Sequence, residues 1–321
     1  MQRFIRHAAA IVATMLALGA NAQGYPNRPV KIVVPFSPGG FTDVVARILQ
    51  TQLGAALGQP VVIENKPGAG STIGTAEVAN ARPDGYTLAM VSTTHVISPS
   101  LYRKMPYDAL ADFTPVMKLA EGPYVLVVHP SLPVRNVKEL IALARAEPGK
   151  IDYASSGNGS SQHLVGALFG QMAGVTLNHV PYKGSGQAMQ DLVGGQVKVS
   201  FVGAPNAVPY LASGKLRALG VTTKKRSADL PDIPSIDEAG VAGYDATLWL
   251  GLLAPPGTPA DVVARLREGV TKALSTPEAR KLVNSAGVDV AFSTPEEFAA
   301  LMKSELARWG KVVKETGATV N

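Results

Sequence analysis

VKIVVPFSPGGFTDVVAR, residues 30–47, predicts a buried β-strand, a Pro/Gly turn and a helix opened by Thr42-Asp43. Gly39 and Gly40 allow backbone conformations that are closed to other residues, and the first amide groups of the helix point back at the turn. The spacing matches neither a phosphate-binding P-loop with its lysine nor a dinucleotide-binding glycine motif. The segment therefore predicts a cradle for a small anion such as a carboxylate.

The first 22 residues have the features of a secretory signal peptide. Arg3 and Arg6 precede an apolar run, and Ala20-Asn21-Ala22 supplies small residues for cleavage after Ala22. The apolar run is too short to span a bilayer, and the paired arginines of the twin-arginine route are missing. We therefore expect export through the Sec route and a periplasmic location.

The composition excludes several classes of function. Because the chain has no cysteine, it can form neither disulfides nor thiolate metal sites, and it has no cysteine nucleophile. The 30 basic and 24 acidic residues are scattered without interleaved aromatic residues, so no nucleic-acid partner is expected. The histidines lack metal-type spacing, and we expect neither a metal site nor a cofactor.

Strand-like runs alternate with amphipathic helical segments, which is the pattern of α/β lobes built on largely parallel sheets. We expect one lobe from residues 23–122 with 248–321 and a second lobe from residues 123–247. Helix starts are predicted at Asn136, Thr258, Thr276 and Thr294, the last opening a long packing helix that buries Trp309. The predicted strands after the first are Val61–Glu64, Thr87–Val91, Val125–His129, Ile151–Ala154, Val197–Val202, Leu216–Val221 and Leu248–Ala254.

A second strand-to-helix turn repeats the chemistry of the first. The strand predicted at Ile151–Ala154 is followed by Ser155-Ser156-Gly157-Asn158-Gly159-Ser160-Ser161 and then by an apolar-striped helix. Ligands of open α/β sheets bind beyond the carboxyl ends of strands, where both loops are expected. The two loops therefore predict opposite walls of one cleft.

Motifs in order along the whole mature chain resemble one known family. They include VPFSPGGFTDVVAR at 34–47, ENKPGAG at 64–70, SSG at 155–157, HVPYKG at 179–184 and GKLRAL at 214–219. By these motifs the chain closely resembles the Bug-type receptors of tripartite tricarboxylate transporters.

The resemblance implies an α/β, two-lobed periplasmic binding protein of type II-like architecture, with a ligand cleft between the lobes and crossing hinge strands. Such a receptor closes on a small carboxylate and hands it to the membrane permease subunits of the transporter; we expect it to be monomeric. The loops at 36–43 and 155–161 would hold one ligand carboxylate. The predicted ligand-binding residues are Phe36, Ser37, Gly39, Gly40, Phe41, Thr42, Asp43, Thr94, His95, Ser155, Ser156, Gly157, Gly159, Ser160, Ser161, Val202, Gly203 and Ala204.

Some of these side chains have two interpretations. Asp43 is expected to act as a helix N-cap that holds the turn in shape, with direct ligand contact as the alternative, whereas Thr42 is the expected hydroxyl donor. His95 follows a predicted strand end and could line the cleft. His163 and His179 are expected to be structural.

Three positions depart from the pattern of the resembled family. Val202 stands where many of its members have an aspartate, which weakens the grounds for an amino-acid ligand whose ammonium group would need that charge. Phe41 and Ser71 replace smaller residues. Phe41 would narrow the cleft or stack on an aromatic ligand.

The residues leave two other functions open. The same closed lobes could act on a signalling partner such as a sensor kinase. A serine hydrolase is a further alternative, because Ser155, Ser156, Ser160 and Ser161 lie near His163, although no Gly-x-Ser-x-Gly elbow is present. We expect a receptor for a di- or tricarboxylate, an aromatic acid or another organic acid, and not an enzyme.

Overall fold

The computed structural model describes residues 24–227, 230–285 and 287–320. The predicted signal peptide and its cleavage site lie outside these described residues. Across the described ranges, no helix combines the length and apolarity that crossing a membrane requires.

Ten strands of the described chain form one continuous mixed sheet. The strands are β1 (Val30–Val34), β2 (Val61–Asn65), β3 (Thr87–Ser92), β4 (Thr114–Val128), β5 (Asp152–Ser155), β6 (Asn178–Pro181), β7 (Val199–Gly203), β8 (Arg217–Val221), β9 (Thr247–Ala254) and β10 (Asp289–Val290). Their order is β2-β1-β3-β9-β4-β7-β5-β6, with β8 and β10 also paired to β4.

The helices connect and cover these strands. They are α1 (Phe41–Leu57), α2 (Thr72–Ala79), α3 (Thr94–Leu101), α4 (Val137–Ala146), α5 (Ser161–Ala173), α6 (Ser185–Val193), α7 (Ala204–Ala212), α8 (Ala260–Leu274), α9 (Pro277–Ser285) and α10 (Pro295–Thr316), with a short 3₁₀ turn at Ala69–Ser71 before α2.

The strand β4 joins two halves of the sheet. Residues 114–123 pair with β9, and residues 124–128 pair with β7 and β8. We name β1, β2, β3, β9, β10 and residues 114–123 sub-sheet 1, and β5, β6, β7, β8 and residues 124–128 sub-sheet 2. The lobe boundaries predicted from the sequence stay a prediction, which the change of partners on β4 supports.

The carboxyl ends of the parallel strands face each other across β4. Ser92 at the end of β3 lies opposite Leu250, which lies opposite Ala120 of β4, whereas Gly203 at the end of β7 lies opposite Tyr124. Ala120 and Tyr124 are 124 − 120 = 4 residues apart, about 13 Å along an extended strand. Since β3 and β7 run toward each other, the loops that follow the parallel strands of both sub-sheets converge on this gap.

The helix α10 packs against both halves. Its Phe298, Met302 and Trp309 belong to one apolar core that includes Val91 of β3 and Phe201 of β7. A second core lies between sub-sheet 1 and the helices α1 and α8, and a third between sub-sheet 2 and α6 and α7. The prediction that α10 is a long packing helix with a buried tryptophan is confirmed.

Most predicted helix starts are confirmed. Asn136, Thr276 and Thr294 each accept a hydrogen bond from the backbone amide three residues later, and Thr294 forms a full capping box with Glu297. The prediction at Thr258 is wrong, because its hydroxyl donates to the carbonyl of Pro255 and Pro259 occupies the N-cap position.

The sequence pattern does not predict β6, β10 or the first part of β4. In β4 the alternation of apolar residues is interrupted by charged residues and prolines, and two bulges shift its register against β9. The strand β6 is an edge strand with a mostly exposed face, so it carries little apolar signal.

A close contact between β9 and the helix α10 provides a test of this packing. A methyl group on Gly251 would overlap the ring of Phe298 from α10, so Gly251→Ala should lower the free energy of unfolding by about 1–3 kcal/mol in urea titrations. Gly186→Ala is the matched control, because a methyl group there meets nothing and should change stability by less than about 1 kcal/mol, in the favourable direction. Equal effects of the two substitutions would contradict the described packing of α10.

Candidate functional site

The turn between β1 and α1 has the geometry of an anion cradle. Gly39 has a φ of 77°, and Gly40 is the extended N-cap residue of α1. The first helical hydrogen bond runs from Val44 N to Gly40 O, at 3.0 Å. The amides of residues 41–43 therefore precede the helical ladder, and their N–H groups have no carbonyl acceptor within their own helix.

Asp43 is used inside the turn. Its carboxylate accepts hydrogen bonds of 2.9 Å from each of Gly39 N, Arg47 Nε and Asn65 Nδ2. Burial raises the pKa of Asp43, but the hydrogen bonds from Arg47, Gly39 and Asn65 outweigh burial and hold the pKa below its ordinary value. The prediction that Asp43 is the N-cap residue is wrong, since Gly40 occupies that position; Asp43 fixes the turn from the first turn of the helix.

The free hydroxyl groups of this turn are those of Ser37 and Thr42. Among the described residues neither hydroxyl has a hydrogen-bond partner. Thr42 is nevertheless buried, with a relative exposure of 5%. Phe41 between them is half-buried and packs against both the core of sub-sheet 1 and the core shared by the two halves. The Thr42 hydroxyl is therefore not used by the turn itself.

The loop between β5 and α5 is held by its own serines together with side chains from neighbouring elements. Ser160 is the N-cap residue of α5 and accepts from His163 N, and the Ser161 hydroxyl lies 2.5 Å from the hydroxyl of Tyr124. Gln162 Oε1 accepts from Ser156 N at 2.8 Å. Of the four loop serines, Ser156 alone has a hydroxyl without a partner among the described residues.

Two histidines lie directly behind this loop. The rings of His163 and His179 stack with centroids 3.8 Å apart and planes at 4°. His163 Nδ1 accepts from Gly159 N at 3.2 Å, and His179 Nε2 lies 2.6 Å from Ser155 Oγ. Both rings therefore contact the backbone or a side chain of the loop itself.

The Ser155–His179 contact has one element of a serine hydrolase but not its arrangement. Ser155 is fully buried, and its hydroxyl also bonds the backbone of Gly157. The other ring contacts of His179 are the stacked His163 and the ring of Tyr153, whereas a hydrolase histidine is oriented by a carboxylate. The geometry gives Ser155 a role in shaping the loop.

The structure places the predicted residues of β3–α3 and β7–α7 in the core. His95 is buried, its Nε2 lies 2.8 Å from Ala109 O, and its ring packs against Tyr107 and Phe113. The expectation that His95 lines the cleft is therefore wrong, because this aromatic cluster encloses it. Burial lowers its pKa to about 4, while the bond to Ala109 acts in the opposite sense.

Thr94 and the three predicted residues at the end of β7 are also buried. Gly203 is the N-cap residue of α7 at the end of β7, opposite Tyr124, and the side chains of Val202 and Ala204 beside it belong to the core of sub-sheet 2. This segment contributes backbone groups and an apolar surface, with no charged side chain.

A third loop lies at the same edge of sub-sheet 1, after β2. Ala69 and Ser71 have φ angles of 44° and 77°, which are left-handed conformations that favour glycine. Ser71 therefore adopts a backbone conformation that glycine takes without strain. The neighbouring Lys66 is balanced by Glu64 and Glu77, so this loop presents no unpaired cation.

Sequence reasoning missed several residues that support the two cradles. Asn65 ties β2 to Asp43, Tyr124 reaches the second loop from β4, and Gln162 and His179 hold it from α5 and β6. Asn65 and His179 lie in motifs of the resembled family, but Tyr124 carries no local signal. In the described ranges, no group of three or more metal-binding side chains is present.

These features together define the class of protein. Two α/β halves are joined by crossing strands, and two donor-rich loops converge on the gap between them. The chain has the two-lobed fold of periplasmic binding proteins.

Comparisons with known proteins agree with this class. Residues 45–318 match the tripartite tricarboxylate transporter family receptor. Protein BugT of Bordetella pertussis (strain Tohama I) is 37% identical over 321 residues, which cover 99% of this chain and 98% of BugT. A structure of Rhodopseudomonas palustris Rpa4515 with adipate is 38% identical, with a TM-score of 0.86 over 92% of this chain and 99% of that one. MatC from the same species, with bound malate, is 36% identical, with a TM-score of 0.82 over 90% and 100%. The chain therefore belongs to the Bug-type receptors of the tripartite tricarboxylate transporter family.

Removal of the Asp43 charge tests how the first cradle is held. Asp43→Asn leaves one buried donor facing an amide group, so it should lower the free energy of unfolding at pH 7 by about 1–3 kcal/mol in urea titrations. Because the folded pKa is depressed, the stabilisation is present above about pH 4 and is lost as the pH falls further. The difference between wild type and Asp43→Asn should therefore narrow at pH 3.

The matched control is Asp261→Asn, an exposed acid in the first turn of α8, which should change stability by a few tenths of a kcal/mol. A stability difference for Asp43→Asn that is the same at pH 3 and pH 7 would contradict the assigned role of the carboxylate.

Proposed function

We propose that this protein is the extracytoplasmic receptor of a tripartite tricarboxylate-type transporter and that it binds a small dicarboxylate in the gap between its lobes. The observation that carries the proposal is the convergence of two loops with free amide and hydroxyl donors on facing strand ends. The family membership and the adipate- and malate-bound relatives support the same ligand class.

In this proposal the lobes are residues 23–122 with 248–321 and residues 123–247, and β4 and β9 form the hinge. The loop at 36–43 takes the carboxylate in the open form, and closure brings the loop at 155–161 onto it. The mature protein acts in the periplasm after export and delivers its ligand to membrane permease subunits.

Recognition depends on neutral donors. The candidate groups are the amides of residues 41–43 and the hydroxyls of Ser37, Thr42 and Ser156, which have no partners among the described residues. Hydrogen bonds to a charged acceptor contribute about 1.5–3 kcal/mol each, so several of them together supply binding free energy without a salt bridge. The buried apolar segment around Val202 offers no counter-charge, which favours acids without an amino group.

Ligand class is tested by calorimetry and thermal unfolding of the mature protein with adipate, malate, benzoate, aspartate and glucose. A dicarboxylate at 100 times its Kd should stabilise the folded state by about 2.7 kcal/mol. Stabilisation by glucose alone would contradict the cradle, and stabilisation by benzoate but by no dicarboxylate would change the ligand class to aromatic acids.

The contribution of a single donor is tested with Thr42→Val. This substitution keeps the shape of the side chain and removes its hydroxyl, so the Kd for the best dicarboxylate should rise about tenfold, with little change in stability. Thr51→Val on the exposed face of the same helix is the matched control and should leave the Kd unchanged. An unchanged Kd for Thr42→Val would remove this hydroxyl from the site.

A further inference from the structure

The stacked histidines connect the second loop to its own lobe. His163 lies on α5 and His179 on β6, and between them they contact the loop at two points, Gly159 and Ser155. Tyr153 on β5 supports the pair, because its hydroxyl donates to His163 O and its ring centroid lies 5.0 Å from that of His179. The position of the loop therefore depends on how these two rings pack.

This packing requires neutral rings. Because Gly159 N donates to His163 Nδ1, the single ring proton of His163 must lie on Nε2. A second proton on Nδ1 would face the amide proton of Gly159 and abolish the bond. If both rings were protonated, two cations would be stacked 3.8 Å apart.

We propose that His163 and His179 are positioning residues that hold the loop at 155–161 ready for the ligand only while both rings are neutral, so that ligand affinity falls as the pH becomes acidic. This inference rests on the proposed function, because the loop is the second wall of the proposed ligand cleft. Neither histidine needs to touch the ligand.

Among the described residues, no carboxylate bonds the ring of His163 or His179. A groove of about 490 Å³ borders the pair, which gives water access to the rings. Besides the two histidines, the titratable groups that line this groove are Tyr153 from β5 and Glu315 from α10. The carboxylate of Glu315 accepts a hydrogen bond from Gln171 and lies 3.7 Å from the Lys311 ammonium group. On the neighbouring strands, Asp152 bonds the side chain of Asn178.

The pKa values agree with a neutral pair. Burial lowers the pKa of His163 to about 4, and burial together with the nearby His163 lowers the pKa of His179 to about 3. If an opened loop returns a histidine to its ordinary pKa near 6.5, the opened state binds more protons than the ordered state between about pH 6.5 and pH 4. Acidification in this range therefore favours the opened loop.

The expected size of the pH effect on the loop follows from these pKa values. For one histidine with a pKa of about 4 in the ordered loop and about 6.5 in the opened loop, the population of the ordered loop relative to the opened loop falls about tenfold between pH 7.5 and pH 5.5. Where opening is frequent enough to limit binding, the Kd rises by up to the same factor.

The test compares variants that keep or remove the acceptor. In His163→Asn the amide oxygen takes the place of Nδ1 and cannot titrate, and in His179→Gln the side-chain amide takes the place of Nε2 beside Ser155. His163→Leu removes the acceptor altogether. The control is His129→Asn, a histidine of the same sub-sheet that bonds Ser131 and lies away from the loop.

The first measurement is amide hydrogen exchange of residues 157–161 in the ligand-free full mature chain. The exchange rate of wild type relative to His163→Asn should rise about tenfold from pH 7.5 to pH 5.5, whereas the rate of His129→Asn should follow wild type. A constant ratio for His163→Asn overturns the proposal. If His163→Asn fails to fold, His179→Gln is compared in the same way.

The second measurement is the Kd for malate and adipate over the same pH range. His163→Asn should bind as wild type does at pH 7.5 but lose less affinity at pH 5.5, and His163→Leu should bind more weakly at both pH values. Because ligand protonation affects every variant equally, only the difference between variants counts. If wild type binds no carboxylate at pH 7.5, the proposed function fails, and the exchange ratio still decides the role of the histidines.

Discussion

The antiparallel pairing of β4 with β9 on one side of residue 124 and with β7 on the other is the constraint on which the rest of the structure depends. A single strand cannot slip its register in one half without moving its side chains in the other. The pairing therefore fixes the distance between the strand ends of the two sub-sheets. It also means that the loops of both halves can change in sequence while the strand ends that carry them keep their spacing along β4.

The two cradles use charge in the same way. In the first, the carboxylate of Asp43 accepts hydrogen bonds from Gly39, Arg47 and Asn65. It therefore shapes the turn without repelling an anion. In the second, the polar groups behind the loop are the neutral rings of His163 and His179. The groups left free are amides and hydroxyls. Anion binding by such groups avoids the cost of burying a cation when the cleft is empty.

The sequence predicts both strand-to-helix turns because each is local: a strand, a glycine-containing turn and a helix start occupy consecutive residues. It fails where the determinant is distant in the chain. His95 is polar and follows a strand, yet Tyr107, Ala109 and Phe113 enclose it, and no local pattern encodes that contact. Tyr124 and His179 reach the second loop from other strands, so their role depends on sheet order. The resemblance to a family supplies part of this information, because His179 lies within one of its motifs.

Within the second loop, some serines are hydrogen-bonded to neighbouring residues and one is free, which bears on the ligand proposed for the cleft. Ser155, Ser160 and Ser161 are engaged by His179, His163 and Tyr124, so substitutions there would alter the loop before they altered any ligand contact. In the proposed receptor, Ser156 and the backbone at the end of β7 are the groups that remain to contact the ligand. Since Val202 and Ala204 are buried and apolar, this side of the proposed cleft presents no charged side chain. An ammonium group placed there would lose its hydration without gaining a partner, which penalises amino acids relative to simple acids.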